Sequence, residues 1–87
     1  MNIRLDDKYR IVSDRYNVIL QEVKIRATGN NIGEEYHENY GYYGTVTACL
    51  KAYKELLIKE SDVTTIQELV ERIEEIDKKI GEILKGN

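Results

Sequence analysis

His37 is the only histidine in the chain and stands in "EEYHE", flanked by Glu34, Glu35 and Glu38, so a general base or a metal site would have to be built there. A metal ion needs ligands converging from one side, whereas neighbours along an extended strand point to opposite faces. The spacing therefore gives no metal site, and His37 reads as a surface residue. Cys49, the single cysteine, lies on the apolar side of a helical pattern, where a thiol is a small buried hydrophobe and not a nucleophile. The glycine-containing stretch "GNNIGEE" lacks the Gly-Lys-Ser/Thr ending of a phosphate-binding loop and leads into a strand, not a helix. No catalytic residue, metal or cofactor is assigned, and the expectation is a non-enzymatic protein. The sequence concentrates tyrosine instead: Tyr36, Tyr40, Tyr42 and Tyr43 are four of the seven in the chain.

Two halves with different periodicities must position these residues. Residues 1–43 are strand-like. "DKYRIVSDRYNVILQEVKIR" holds two β-branched runs separated by Ser13, Asp14 and Arg15, a polar set that joins antiparallel strands. The second run places Ile19, Val23 and Ile25 on one parity and Val18 and Leu20 on the other, so it reads as a central strand covered on both faces at its start. Gly29, Asn30, Asn31 and Gly33 tolerate positive φ and mark the next hairpin. Tyr36, Tyr40 and Tyr42 follow at even spacing, with Glu38 on the same face, as a third strand.

From Thr45 the period becomes helical. Thr45 is placed to cap a helix whose Val46, Cys49, Leu50, Tyr53, Leu56 and Leu57 share one face. "SDVTT" interrupts it, and either Thr64 with Gln67 or Thr65 with Glu68 forms a capping box for a second helix. There Ile66, Leu69, Ile73, Ile76, Ile80 and Ile83 alternate three and four apart, a heptad pattern widened by Val70 and Leu84. Two readings of that stripe stand open: packing within the chain, or a seam for a second copy or a partner helix. The expected fold class is α+β, a three-stranded antiparallel β-meander followed by two α-helices, in one domain: meander 1–43, first helix 45–60, second helix 64–85.

Composition limits the partners. A chain of 87 residues buries only about 60–65% of its unfolded surface, which disfavours deep pockets. Sixteen acidic against thirteen basic residues leave a net charge of −3, short of the basic excess that phosphate binding needs. The tyrosines read as a cross-strand aromatic row; the functional alternative, a base-stacking platform, is opposed by the glutamates interleaved with them. "MNIRLDDKYR" lacks the apolar run of a signal peptide, and no stretch approaches the ~20 apolar residues of a membrane span, so the chain is expected in the cytoplasm.

The stretch "NYGYYGTVTACLKAYKELLIKESDVTTIQELV", together with the opening "DDKYRIVSDRYNVILQE", resembles small uncharacterised proteins encoded by phages and prophages of Gram-positive bacteria. In that family a "GYY" strand end leads to a Thr- or Ser-capped helix, and "SD.T.I.EL" leads to a final helix. Gly44 stands where the family commonly has proline before the cap. The resemblance covers nearly the whole chain and transfers no functional residues. It implies a phage protein of the host cytoplasm that acts by binding, most concretely an inhibitor of a host defence protein of the anti-CRISPR or anti-restriction type. The alternatives are an accessory of phage DNA replication or recombination that touches single-stranded nucleic acid, and a structural homodimer. A docking face on the sheet would combine Tyr43 and His37 with Arg10 or Arg15.

Overall fold

Two aspartates fold the first half of the chain. Asp6 Oδ1 accepts the backbone N–H groups of Lys8 (2.7 Å) and Tyr9 (2.8 Å), and Asp14 Oδ1 accepts those of Tyr16 (2.8 Å) and Asn17 (2.7 Å). Each carboxylate thus closes a tight turn by standing in for a backbone acceptor. The third turn uses glycine: Gly29 and Gly33 have φ of 89° and 90°, while no other residue type takes positive φ among the described residues. In the computed structural model, which describes residues 1–86, these turns join β1 (Asn2–Arg4), β2 (Tyr9–Ser13), β3 (Val18–Ile25) and β4 (Glu35–Tyr43) into an antiparallel meander of order β1-β2-β3-β4.

The sheet has four strands where three were expected. The additional one, β1, is a three-residue edge strand with every side chain exposed, too short to carry an alternating pattern. β3 is central, as expected, and Val18, Ile19, Leu20 and Val23 are all buried. Its Leu20 face, shared in register with Ile11 on β2, carries the core of this part: Leu20 and Ile11 are almost fully enclosed, with Tyr9 and Leu5 buried beside them.

Helices α1 (Val46–Lys59) and α2 (Ile66–Gly86) follow. Thr45 Oγ1 accepts the Ala48 N–H at 3.1 Å, capping α1 as expected. At α2 the capping alternatives resolve to Thr65 with Glu68. Thr65 Oγ1 accepts the Glu68 N–H (3.1 Å), and the Glu68 carboxylate accepts the N–H of Thr64, one residue before the cap (3.2 Å). Compact units comprise residues 1–49 and the chain from Leu50 onward. In the second unit the helices form a hairpin tied by Lys54 Nζ to Asp77 (2.7 Å), Arg72 Nε donating to Ser61 Oγ (3.1 Å) and Lys79 over the Tyr53 ring (5.8 Å). Tyr53 and Ile76 are its most enclosed side chains. No helix among the described residues is long and apolar enough to cross a membrane.

The heptad stripe is only partly covered. Ile76 is buried and Leu69, Ile73, Ile80 and Ile83 are half-buried, but Ile66 is 76% exposed, Leu84 65% and Val70 48%.

Candidate functional site

The face of the sheet opposite Leu20 is built around one row. Arg10 on β2 pairs in register with Gln21 on β3, and Gln21 with Asn39 on β4, so the three side chains stand level on the same side. They are linked by hydrogen bonds of 2.7 Å each: Arg10 Nε donates to Gln21 Oε1, Gln21 Nε2 donates to Asn39 Oδ1, and Asn39 Nδ2 donates to Tyr42 Oη. Each amide accepts on its oxygen and donates from its nitrogen, so the chain runs in one direction across three strands. Because the Tyr42 oxygen accepts at the end of this chain, its own proton points away and can be donated to a ligand. The terminal nitrogens of Arg10 have no partner among the described residues.

A bulge in β4 makes this arrangement. Register passes from Leu20↔Gly41 directly to Gln21↔Asn39, leaving Tyr40 as an extra residue on β4. The extra residue inverts the alternation, which corrects the expected tyrosine row. Tyr36 and Glu38 lie on the Leu20 face, Tyr42 lies on the opposite one, and Tyr40 sits at the bulge between them. Tyr40 and Tyr42 are 50% and 56% exposed, so no continuous aromatic row is buried. Gly41 permits the turnover of the strand: a Cβ there would stand 2.8 Å from Tyr43 Cζ, because the Tyr43 ring lies back over the glycine.

The same inversion separates the residues proposed for docking. Arg10 and His37 do share the open face, His37 being level with Val23 and exposed. Tyr43 pairs with Val18 on the other face, half-buried; burial, reinforced by Cys49 and Tyr40, raises its hydroxyl pKa above the ordinary tyrosine value. Arg15 belongs to the β2–β3 turn, where its guanidinium lies 5.6 Å from the ring of the exposed Tyr16. Gln21, Asn39 and Tyr42 complete the face; the sequence places Tyr42 in the aromatic row and not with Arg10, and does not single out Gln21 or Asn39. Gly41 inside a tyrosine-rich strand is the signal that marks the bulge and hence their side.

The surrounding charges are largely engaged. Arg4, level with Arg10 on β1, donates to the carbonyls of Asp6 (2.7 Å) and Asp7 (3.0 Å) and stands 3.6 Å from the Glu35 carboxylate. Lys24 is held at 2.9 Å by Glu38, whose hydrogen bond and charge raise the lysine pKa. On the Leu20 side Arg26 lies 4.9 Å from the Tyr36 ring centre. Cys49 is fully buried, and burial pushes its thiol up to about 11, so it is held as the protonated, inert form near neutral pH. Among the described residues no three His, Cys, Asp or Glu side chains are grouped to hold a metal ion. The face offers directed hydrogen bonds, the Arg10 guanidinium and the exposed phenol ring of Tyr42, with Tyr40 at the bulge beside it.

The chain is 33% identical over 78 residues to the "Uncharacterized 10.4 kDa protein in GpA 5'region" of Escherichia phage 186, an alignment covering 87% of this chain and 86% of that protein. The phage that encodes this relative has a Gram-negative host, in contrast to the Gram-positive setting of the resemblance drawn from the motifs. No family model matches the chain, and no solved structure matches it. The span of the alignment, over almost the full length of both proteins, places the chain in one family with this small phage protein.

Proposed function

We propose that the protein is a non-enzymatic, phage-encoded binding protein that acts by protein–protein contact, most concretely as an inhibitor of a host defence protein of the anti-CRISPR or anti-restriction type. The observation that carries this reading is the fixed chain Arg10–Gln21–Asn39–Tyr42 on the open sheet face. Tyrosine and arginine dominate binding energy at protein interfaces, and truncating such an anchor commonly costs about 2 kcal/mol or more. Side chains already locked to one another lose little further entropy on docking, which raises their contribution to affinity. Kinship with a phage protein supports the phage setting of this reading.

A second reading, contact with single-stranded nucleic acid, draws on the exposed rings of Tyr40 and Tyr42, which could stack on bases. Phosphates would need a cationic track beside those rings. Glu35 stands beside Arg4 and Glu38 holds Lys24, and the net charge is −3, so the protein reading is preferred.

Plating efficiency tests the first reading. A phage sensitive to a CRISPR or restriction system is plated on hosts carrying that system, with and without this protein. Restored plating, lost with Tyr42→Ala and Arg10→Ala variants of unchanged melting temperature, is the expected result. Unrestored plating across hosts of each defence type, with the folded protein present in the cell, counts against it. Binding of a labelled single-stranded oligonucleotide that weakens steeply with salt would favour the second reading.

A further inference from the structure

We infer that α2 is the interface of an antiparallel homodimer, closed along a strip distinct from the stripe that faces the chain's own interior. The strip lies about 80–140° around the helix from Ile76 at the usual 100° per residue and comprises Ile66, Val70, Asp77 and Leu84, with Gly81 at its edge. Its three aliphatic residues are the most exposed apolar positions of the helix. Gly81 gives the second observation. A glycine in mid-helix costs roughly 0.5–1 kcal/mol relative to alanine, yet a Cβ at position 81 would meet nothing within 4 Å. Nothing among the described residues calls for glycine there, whereas a second helix crossing closely over the strip does.

Charge identifies the occupant as a second copy. The first half of α2 carries Glu68, Glu71, Glu74, Glu75 and Asp77 against Arg72, and the second half carries Lys78, Lys79 and Lys85 against Glu82. A helix divided in this way repels a parallel copy and attracts an antiparallel one. A two-fold axis beside Asp77 sets the register. Val70 then lies level with the partner's Leu84 and Ile73 with the partner's Gly81. On the flank, Glu74 comes within two residues of level with the partner's Lys78, and Glu71 within two of the partner's Lys85, an axial offset of about 3 Å that long side chains span. Asp77, which this register brings to the axis, is already neutralised by Lys54 at 2.7 Å within its own chain. The contact is self-complementary and closed, as a two-fold interface must be. It uses none of the sheet face and stands or falls independently of the proposed function.

The test is the mass of the full chain in solution by sedimentation, at micromolar concentration and two salt concentrations. A dimer that weakens with salt is expected, with Val70→Lys and Leu84→Lys giving folded monomers because both positions are exposed in the single chain. Gly81→Ala should raise the melting temperature measured at dilution while shifting the dimer dissociation constant upward at least severalfold. Register is read by disulfide formation. Val70→Cys mixed with Leu84→Cys should cross-link to each other in preference to themselves, Cys49 remaining buried. A wild-type chain that is monomeric to its solubility limit overturns the inference, and so does a dimer that survives both lysine variants. Preferential self-linking of Val70→Cys overturns the antiparallel arrangement.

Discussion

β3 and α2 are both written in aliphatic residues at regular spacing, but they are covered to very different degrees. In β3, Val18, Ile19, Leu20 and Val23 are all at least nine-tenths enclosed; in α2 only Ile76 reaches that level, and Ile66 and Leu84 stand mostly in water. The cause lies in the backbone. A strand cannot satisfy its N–H and C=O groups alone, so a central strand brings neighbours on both sides, and their side chains enclose its own. Ile19 accordingly sits between Val12 on one neighbour and Tyr42 on the other, and is buried even on the open face of the sheet. A helix satisfies its own backbone and can leave part of an apolar stripe bare. An aliphatic period in a helix therefore states that cover is wanted and leaves open what provides it.

Single truncations should sharpen this contrast most. Leu20→Ala removes a fully enclosed side chain and is expected to cost about 3–5 kcal/mol, enough to unfold much of a small domain. Leu84→Ala, measured at dilution so that association does not contribute, should cost less than about 0.5 kcal/mol. Urea titrations of both variants check the pair, and comparable losses at the two positions would break the comparison.

Gly41→Ala comes next. The added methyl group must displace the Tyr43 ring, an overpacking expected to cost about 1–3 kcal/mol. In a double-mutant cycle, most of that loss should disappear once Tyr43 is replaced by Ser. Strict additivity would mean that the ring does not lie over the glycine.

Helix capping predicts a smaller effect. Thr65→Ala should cost about 1 kcal/mol by leaving the Glu68 N–H without its acceptor, detected as a lower melting temperature with unchanged sheet signals. The smallest effect at neutral pH concerns the Cys49 thiol. Its pKa rises from 9.0 in the free form to about 11 in the fold, so the folded state keeps a proton that the unfolded state releases. Stability from this source is whole below about pH 9 and is lost as pH climbs toward 11. The stability difference between wild type and Cys49→Ala should thus be flat to about pH 9 and then shrink. A difference that stays constant to pH 11 would place the thiol in contact with solvent.

Much of the fold was legible in the residues because local chemistry dictates it: Asp14 at a turn, Gly29 and Gly33 at positive φ, Thr45 and Thr65 at helix starts. β1 was not legible, since three exposed residues carry no period and owe their pairing to the Asp6 turn behind them. The site was half legible. Arg10 and His37 fall on the open face, but counting parity through β4 without the bulge at Tyr40 assigns Tyr43 to the wrong side and passes over Tyr42. Hydrogen bonds between Gln21 and Asn39, which are 18 positions apart, exist only once the register of β3 and β4 is fixed.

Capture from host lysate decides most directly whether the open sheet face is the working surface. Tagged wild-type protein, a Tyr42→Ala/Arg10→Ala variant and a Leu84→Lys variant are compared after nuclease treatment, with the retained host protein identified by mass and its identity checked by rebinding in purified form. The expected result is one host defence protein held near equal stoichiometry by wild type and by Leu84→Lys and lost from the Tyr42→Ala/Arg10→Ala variant. Undiminished retention by that variant, or retention that vanishes for every form on nuclease treatment, would contradict it.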